Sequence, residues 1–350
     1  MAKGPSSSID SFLLPSEPNV SFTSIITTGD TLAGSTSGVF AGVPDGIGAF
    51  DNGNGTVTVL VNHEIGNTAG VLRDHGSLGS FVTSLVIRKS DLSVLSGDDA
   101  IKSLSLWNST TQSYSLSTAS TGALSRLCSG DLPEISAFYN AKTGLGTNVR
   151  IYMAGEEAGA EGRPVGVIVS GANAGKAFEL AALGNQSFEN LVANPYAQDK
   201  TIVATTDDTT PGQVYIYVGD KQARGSDIEK AGLTNGVLYG IKVNGITAET
   251  GGNVGSFATA GFTLEAVGVD GKVANMSGSQ IQTASTADGI TEFLRPEDAA
   301  WDPQHPNVLY FVTTNAFNAP SRLWKATFDD ITKPELGGKI EAVLDGTEGQ

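Results

Sequence analysis

Apolar residues in this chain gather in short runs of about five to nine positions, rich in Val, Ile and Thr and closed by Gly, Asn, Asp or Pro. β-Branched runs of that length, bounded by turn formers, predict strands joined by tight turns rather than helices. The stretch 187–194 is the only one whose apolar spacing fits a helix, and it is short. The pattern predicts an all-β protein.

A longer-range repeat organises these runs. Pro44-Asp45 is followed by Ala49-Phe50-Asp51 and then by a run from Thr56 that ends at Asn62-His63-Glu64. Pro296-Glu297 is followed by Ala300-Trp301-Asp302 and by a run from Val308 to Thr314-Asn315. Pro133-Glu134 precedes Ala137-Phe138-Tyr139-Asn140 and a run from Val149 to Gly155-Glu156-Glu157. A fourth copy opens at Glu189 and runs from Thr201 to Asp207-Asp208. Asp45 and His63, Glu189 and Asp207, and Glu297 and Asn315 are each 18 positions apart, while Glu134 and Glu156 are 22 apart. A further strand follows three of the copies, at 165–170, 213–219 and 322–328. Small antiparallel sheets repeated in this way are the blades of a β-propeller. Residues 1–350 are expected to form a single propeller domain, with 1–35 as an N-terminal extension leading into the first blade.

Equivalent loops of a propeller point at one axis, so the acidic openings and polar strand ends would converge there. The plain alternative is that acidic residues populate turns, but Glu is not a favoured turn residue and three of the four openings use it. Glu64, Glu156, Glu157, Asp207 and Asp208 fall at strand ends. A strand alternates faces, so only one member of each adjacent pair can point inward. Several carboxylates at different angles suit a hard cation such as calcium. No EF-hand loop is present, nor a P-loop, a dinucleotide fingerprint or a Gly-x-Ser-x-Gly elbow placed where a strand and helix would use it.

Composition narrows the choice. There are 37 acidic against 21 basic residues, a net charge of −16. Such a chain repels nucleic-acid phosphates, so no nucleic-acid partner is expected. No apolar stretch is long enough to span a membrane, and none at the N-terminus resembles a signal peptide. Cys128 is the single cysteine and lies ahead of the Glu134 opening. It is either a buried inert thiol or a thiolate ligand to a transition metal. His63, on the repeat, and His75 are candidate ligands by type, although lone histidines usually serve the core. In Arg295-Pro296-Glu297 the proline fixes two charged side chains in a set geometry, which suits phosphate and metal respectively or a plain surface ion pair.

Asn62-His63-Glu64, Cys128-Ser129-Gly130, Gly155-Glu156-Glu157, Asp207-Asp208 with the strand 213–217, and Arg295-Pro296-Glu297 together resemble the PhoX-type alkaline phosphatases. Their order spans most of the chain from Asp45 to Trp324. The resemblance implies a secreted or periplasmic, six-bladed propeller phosphatase that acts on small phosphate monoesters at a cluster of Ca2+ and Fe3+ ions. It makes Cys128 an iron ligand, with Glu156 or Glu157 and Glu297 among the carboxylates. Arg295 would grip the phosphoryl group. Asp45, Glu64, Glu189 and Asp207 or Asp208 would bind mainly calcium, and Glu134 joins them through the internal repeat. The family pattern continues past Gln350, so the ring is expected to be incomplete at its C-terminal end. A calcium-only propeller hydrolase of lactonase or phytase type, with Cys128 structural, and a non-catalytic calcium-stabilised binding module are the alternatives.

Overall fold

Alternating β-branched runs separated by glycine turns do form strands. The structure, a computed structural model, describes residues 2–34 and 38–348. Met1, residues 35–37, Gly349 and Gln350 lie outside the described residues, and with them the expected end of the N-terminal extension at Ser35. Near the N-terminus, β1 (Ala2–Lys3) and β2 (Thr23–Ser24) pair in parallel. Leu32 and Phe40 pack under the first blade against Leu85 and Ile87.

The first blade is a four-stranded antiparallel meander of β3 (Pro44–Asp51), β4 (Thr56–His63), β5 (Phe81–Arg88) and β6 (Val94–Asp99). Gly53 and Gly55, at φ 74° and 84°, turn β3 into β4 in a conformation that other residues resist. In the second blade a hairpin of β7 (Ser103–Asn108) and β8 (Ser113–Leu116) extends the outer edge. The inner strand is β9 (Leu127–Asp131). A connection carrying the small hairpin β10 (Tyr139–Asn140) and β11 (Leu145–Gly146) leads on to β12 (Ile151–Glu156), β13 (Pro164–Ile168) and β14 (Lys176–Glu179).

The third blade runs from β15 (Phe188–Ala193) through β16 (Lys200–Asp207), β17 (Val214–Asp220) and β18 (Val237–Val243) to β19 (Gly261–Ala266). The fourth comprises β20 (Pro296–Trp301), β21 (Val308–Thr313), β22 (Arg322–Phe328) and β23 (Gly338–Leu344). Their outer strands β19 and β23 pair at Gly261–Lys339 and Phe262–Gly338, which joins both blades into one nine-stranded sheet.

The inner strands β3, β9, β15 and β20 lie side by side in that order. Apolar clusters fill the spaces between consecutive blades, one of them holding Trp324, Phe293, Phe311 and Ile216. The all-β propeller expected from the repeat is what the chain forms, and the described residues account for four of the six blades that the resemblance implies. The helical reading of 187–194 is corrected: Phe188–Ala193 is an inner strand. Its residues are buried on both faces, which erases the alternation that marks a half-exposed strand. The longest helix is Gly278–Ala287, which starts from a Ser277–Gln280 capping box.

Candidate metal centre

Each blade contributes one polar side chain from the start of its inner strand: Asp45, Cys128, Glu189 and Glu297. Each lies where the ladder to the next strand is irregular, with register shifts at Pro44/Ile47, opposite β12 at Ala154/Glu156, at Phe188/Asn190 and at Pro296/Ala299. A bulge bends the strand and re-aims the residue it carries, and here it turns four side chains toward the axis. The register then fixes a second ring. His63, Glu156, Asp207 and Thr313 pair with the residue before each ligand, so the next residues, Glu64, Glu157, Asp208 and Thr314, stand beside it.

The ligand atoms of Asp45, Glu64 and Cys128, of Cys128, Glu157 and Glu189, and of Glu189, Asp208 and Glu297 lie within 4.8 Å of one another in each group. The three groups form one row, linked at Cys128 and Glu189. The Cys128 Sγ–H has the Asp45 Oδ2 and the Glu189 Oε1 as acceptors, each at 3.6 Å.

Two arginines brace the row. Arg295 donates through Nε and Nη2 to both oxygens of Asp208 at 2.8 and 2.7 Å, and Nη2 also lies 2.9 Å from Glu297 Oε1. Arg126 donates from Nε to Glu64 at 2.8 Å and from Nη2 to Glu157 at 2.5 Å. Both sit two residues before an inner ligand, with φ of 57° and 49°, as does Val43 at 51°. Backbone bonds hold this uncommon conformation: Arg126 N–H to Ile65 O at 2.9 Å, and Arg295 N–H to Thr209 O at 3.2 Å.

Negative charge dominates nonetheless. Burial, then the charges of Glu297 and Asp298, push the Glu189 carboxyl up to about 8. Burial raises Asp45, Glu157 and Glu297 as well, with the neighbouring carboxylates Glu64, Asp208 and Asp298 adding to it. The Cys128 thiol is pushed up by burial and then by Glu189 and Asp45. A thiol and six carboxyl groups held this close, against two arginines, fit cations with mixed sulfur and oxygen coordination.

On one side of the row the inner strands enclose a channel of about 530 Å³. Asp45, Asp131, Glu134, Glu189 and Asp298 line it, with no lysine or arginine. An anion is repelled from that side. The arginines stand at the strand starts on the other side, half-exposed, and an anionic group would approach there.

Several expected residues are elsewhere. Glu156 is buried and committed to Arg163, accepting from its Nε at 2.6 Å and Nη2 at 3.0 Å, and from the Ser125 N–H at 2.7 Å. Asp207 points away from the row, accepts from the Ser187 N–H at 3.2 Å and lines a separate cavity beside Gln186. Burial raises Asp207 to about 7. Glu134 lies past β9, toward the far end of the channel, because Cys128 rather than Glu134 is the second blade's equivalent of Asp45. His63 is wholly buried, stacked on Phe81 at 4.3 Å, and His75 is buried with Nε2 3.2 Å from Gly122 O. Arg126 and Asp298 were not anticipated, whereas Thr314 is one of the polar strand ends expected at the axis. The spacing of Arg126 before Cys128, equal to that of Arg295 before Glu297, was the available signal.

Comparison with known proteins follows the same outline. Residues 170–337 match the family model for alkaline phosphatase PhoX, so the family resemblance read from the sequence holds from β14 through β22. No curated protein matches the chain. Among solved structures, Pseudomonas fluorescens PhoX in complex with vanadate, a transition state analogue, superposes with a TM-score of 0.55 at 11% identity, covering 87% of this chain and 67% of that one. The likeness is one of fold. Among the described residues, no helix is long and apolar enough to cross a membrane.

Proposed function

We propose that the chain is a phosphatase that hydrolyses small phosphate monoesters at cations held by this row, and that it works outside the cytoplasm. The observation that carries the reading is the chain of three ligand groups linked through Cys128 and Glu189 and flanked by Arg126 and Arg295. The match of residues 170–337 to the PhoX model supports the same activity. Cys128 with Asp45, Glu64, Glu157 and Glu189 would hold Fe3+, since thiolate ligands suit iron. Glu189, Asp208 and Glu297 supply oxygen alone and suit Ca2+. Bound cations would supply Lewis-acid stabilisation of the charge on the phosphoryl oxygens.

The chain's own residues do the rest. Arg295 is locked by Asp208 and Glu297, and its Nη1 carries no hydrogen bond among the described residues. That edge is left to donate to a phosphoryl oxygen, and a guanidinium fixed before the reaction needs no reorganisation during it. Arg126 presents Nη1 in the same way from the second blade. Thr314 Oγ1 donates to Glu297 Oε1 at 2.7 Å and holds that carboxylate in place.

Elemental mass spectrometry of protein purified without chelators, beside a Cys128→Ala variant, tests the assignment together with turnover of 4-nitrophenyl phosphate. Iron and calcium in whole-number ratios, iron lost in the variant, and turnover inhibited by vanadate are expected. Calcium without iron would remove the thiolate role, and a metal-loaded protein without turnover would remove the phosphatase.

A further inference from the structure

Phosphoryl recognition accounts for only one end of a phosphomonoester, and a second cavity adjoins Arg295. It measures about 470 Å³ and is lined by Arg295, Glu297 and Thr314 together with Ala316, Phe317 and Ala319. Phe317 is fully exposed, at 115% of its reference surface. A single exposed apolar residue is ordinary on a protein surface. This one differs in where it stands and how its loop is held.

The loop is pinned at both ends. The Thr314 N–H donates to Arg295 O at 3.2 Å and the Asn315 N–H to Leu294 O at 3.1 Å, with Asn315 at φ 49°. The Ala319 N–H closes a turn onto Ala316 O at 3.0 Å, and the Ser321 Oγ–H returns to Thr314 O at 3.5 Å. Phe317 therefore sits at the tip of a turn anchored to the same backbone that positions Arg295. An apolar cavity of about 150 Å³ already accommodates benzene, so the volume here suffices for a phosphoryl group and an aromatic ring. One cavity thus presents a guanidinium and an aromatic ring, the two kinds of group that an aryl phosphate engages.

Resting on the phosphatase reading above, we propose that Phe317 forms the subsite for the alcohol portion of the substrate and selects monoesters of aromatic alcohols over small polar ones. The ring stacks on the aromatic leaving group while Arg295 holds the phosphoryl oxygens. Phe317 touches no reacting atom and acts on specificity.

The test compares kcat/KM for 2-naphthyl phosphate and glycerol 3-phosphate in the metal-loaded protein and in its Phe317→Ala and Phe317→Trp variants. Intrinsic ester reactivity cancels when each variant's ratio is divided by that of the parent. In Phe317→Ala the naphthyl-to-glycerol ratio is expected to fall by about twofold to twelvefold, the range of one aromatic contact, and Phe317→Trp is expected to keep it. Turnover of both esters with an unchanged ratio in Phe317→Ala overturns the subsite alone. Turnover of neither by the parent overturns the phosphatase reading and the subsite with it.

Discussion

At the scale of single residues, neighbours in sequence do opposite work. Glu156 and Glu157 are adjacent, yet one is sealed against Arg163 and the other faces Cys128. Breaking a buried ion pair strands its partner, so Glu156→Gln is expected to cost about 2–4 kcal/mol of stability while leaving metal stoichiometry intact. Glu157→Gln is expected to do the reverse: it lowers metal content, and it leaves the chelated protein no less stable because it removes repulsion from the row. Denaturation curves beside elemental analysis of the two variants separate the roles, and equal metal loss in both would refute the assignment. Strand alternation shows from sequence that one member of each acidic pair points inward, but not which one. The choice depends on a register fixed by pairing with the inner strand, and that pairing is written in no local pattern. The spacing of Arg126 before Cys128 was there to be read, but its left-handed backbone, shared with Arg295 and Val43, was not, because tertiary bonds hold it.

At the scale of the strand, the repeat was legible in blades one, three and four because spacing there is conserved by geometry. Asp45 and Glu64, and Glu189 and Asp208, are both 19 positions apart. In the second blade the residues carrying β10 and β11 separate Cys128 from Glu157 by 29 positions, and the acidic spacing drew attention to Glu134 instead. What tells the true inner strand apart is glycine. A Cβ on Gly46 would stand 2.1 Å from the Gly130 nitrogen, and one on Gly130 1.8 Å from the Tyr152 hydroxyl. At Gly46 the inner strands of blades one and two approach too closely for a side chain, and at Gly130 the Tyr152 ring from β12 fills the space. Gly46→Ala must push backbone away from backbone, which is expected to cost about 2–3 kcal/mol and to reduce metal occupancy at the Asp45–Glu64–Cys128 group. Thermal unfolding and metal content measure both, and a variant as stable and as metal-rich as the parent would contradict the packing argument.

At the scale of the molecule, the row draws its side chains from all four blades, so cations held there would add to the side-chain packing, the β19–β23 pairing and the backbone bonds, such as Arg126 N–H to Ile65 O and Arg295 N–H to Thr209 O, that already join the blades. Without cations the row opposes folding, and pH sets by how much. The Glu189 carboxyl titrates at about 8 in the fold against an ordinary 4.5, so the folded state binds its proton more tightly than the unfolded chain does. Asp45, Glu157 and Glu297 are raised in the same direction. Below the unfolded value these groups cost nothing; as pH rises from there through about 8 the fold must ionise them against burial and one another, and stability falls. His63 works oppositely, because burial lowers it to about 4 from 6.5 and its contribution is lost as pH drops through that window. The chelated protein is therefore expected to be most stable in mildly acidic solution, and to lose roughly 5 °C or more of Tm between pH 5.5 and pH 8. With calcium and iron bound, the carboxylates are already ionised and paired, so the same interval should leave Tm nearly flat and higher throughout by the binding free energy. Scanning calorimetry across that interval, with and without cations, reads both curves; parallel curves would mean that the carboxyl groups of the row do not carry the charge cost that makes it a cation site.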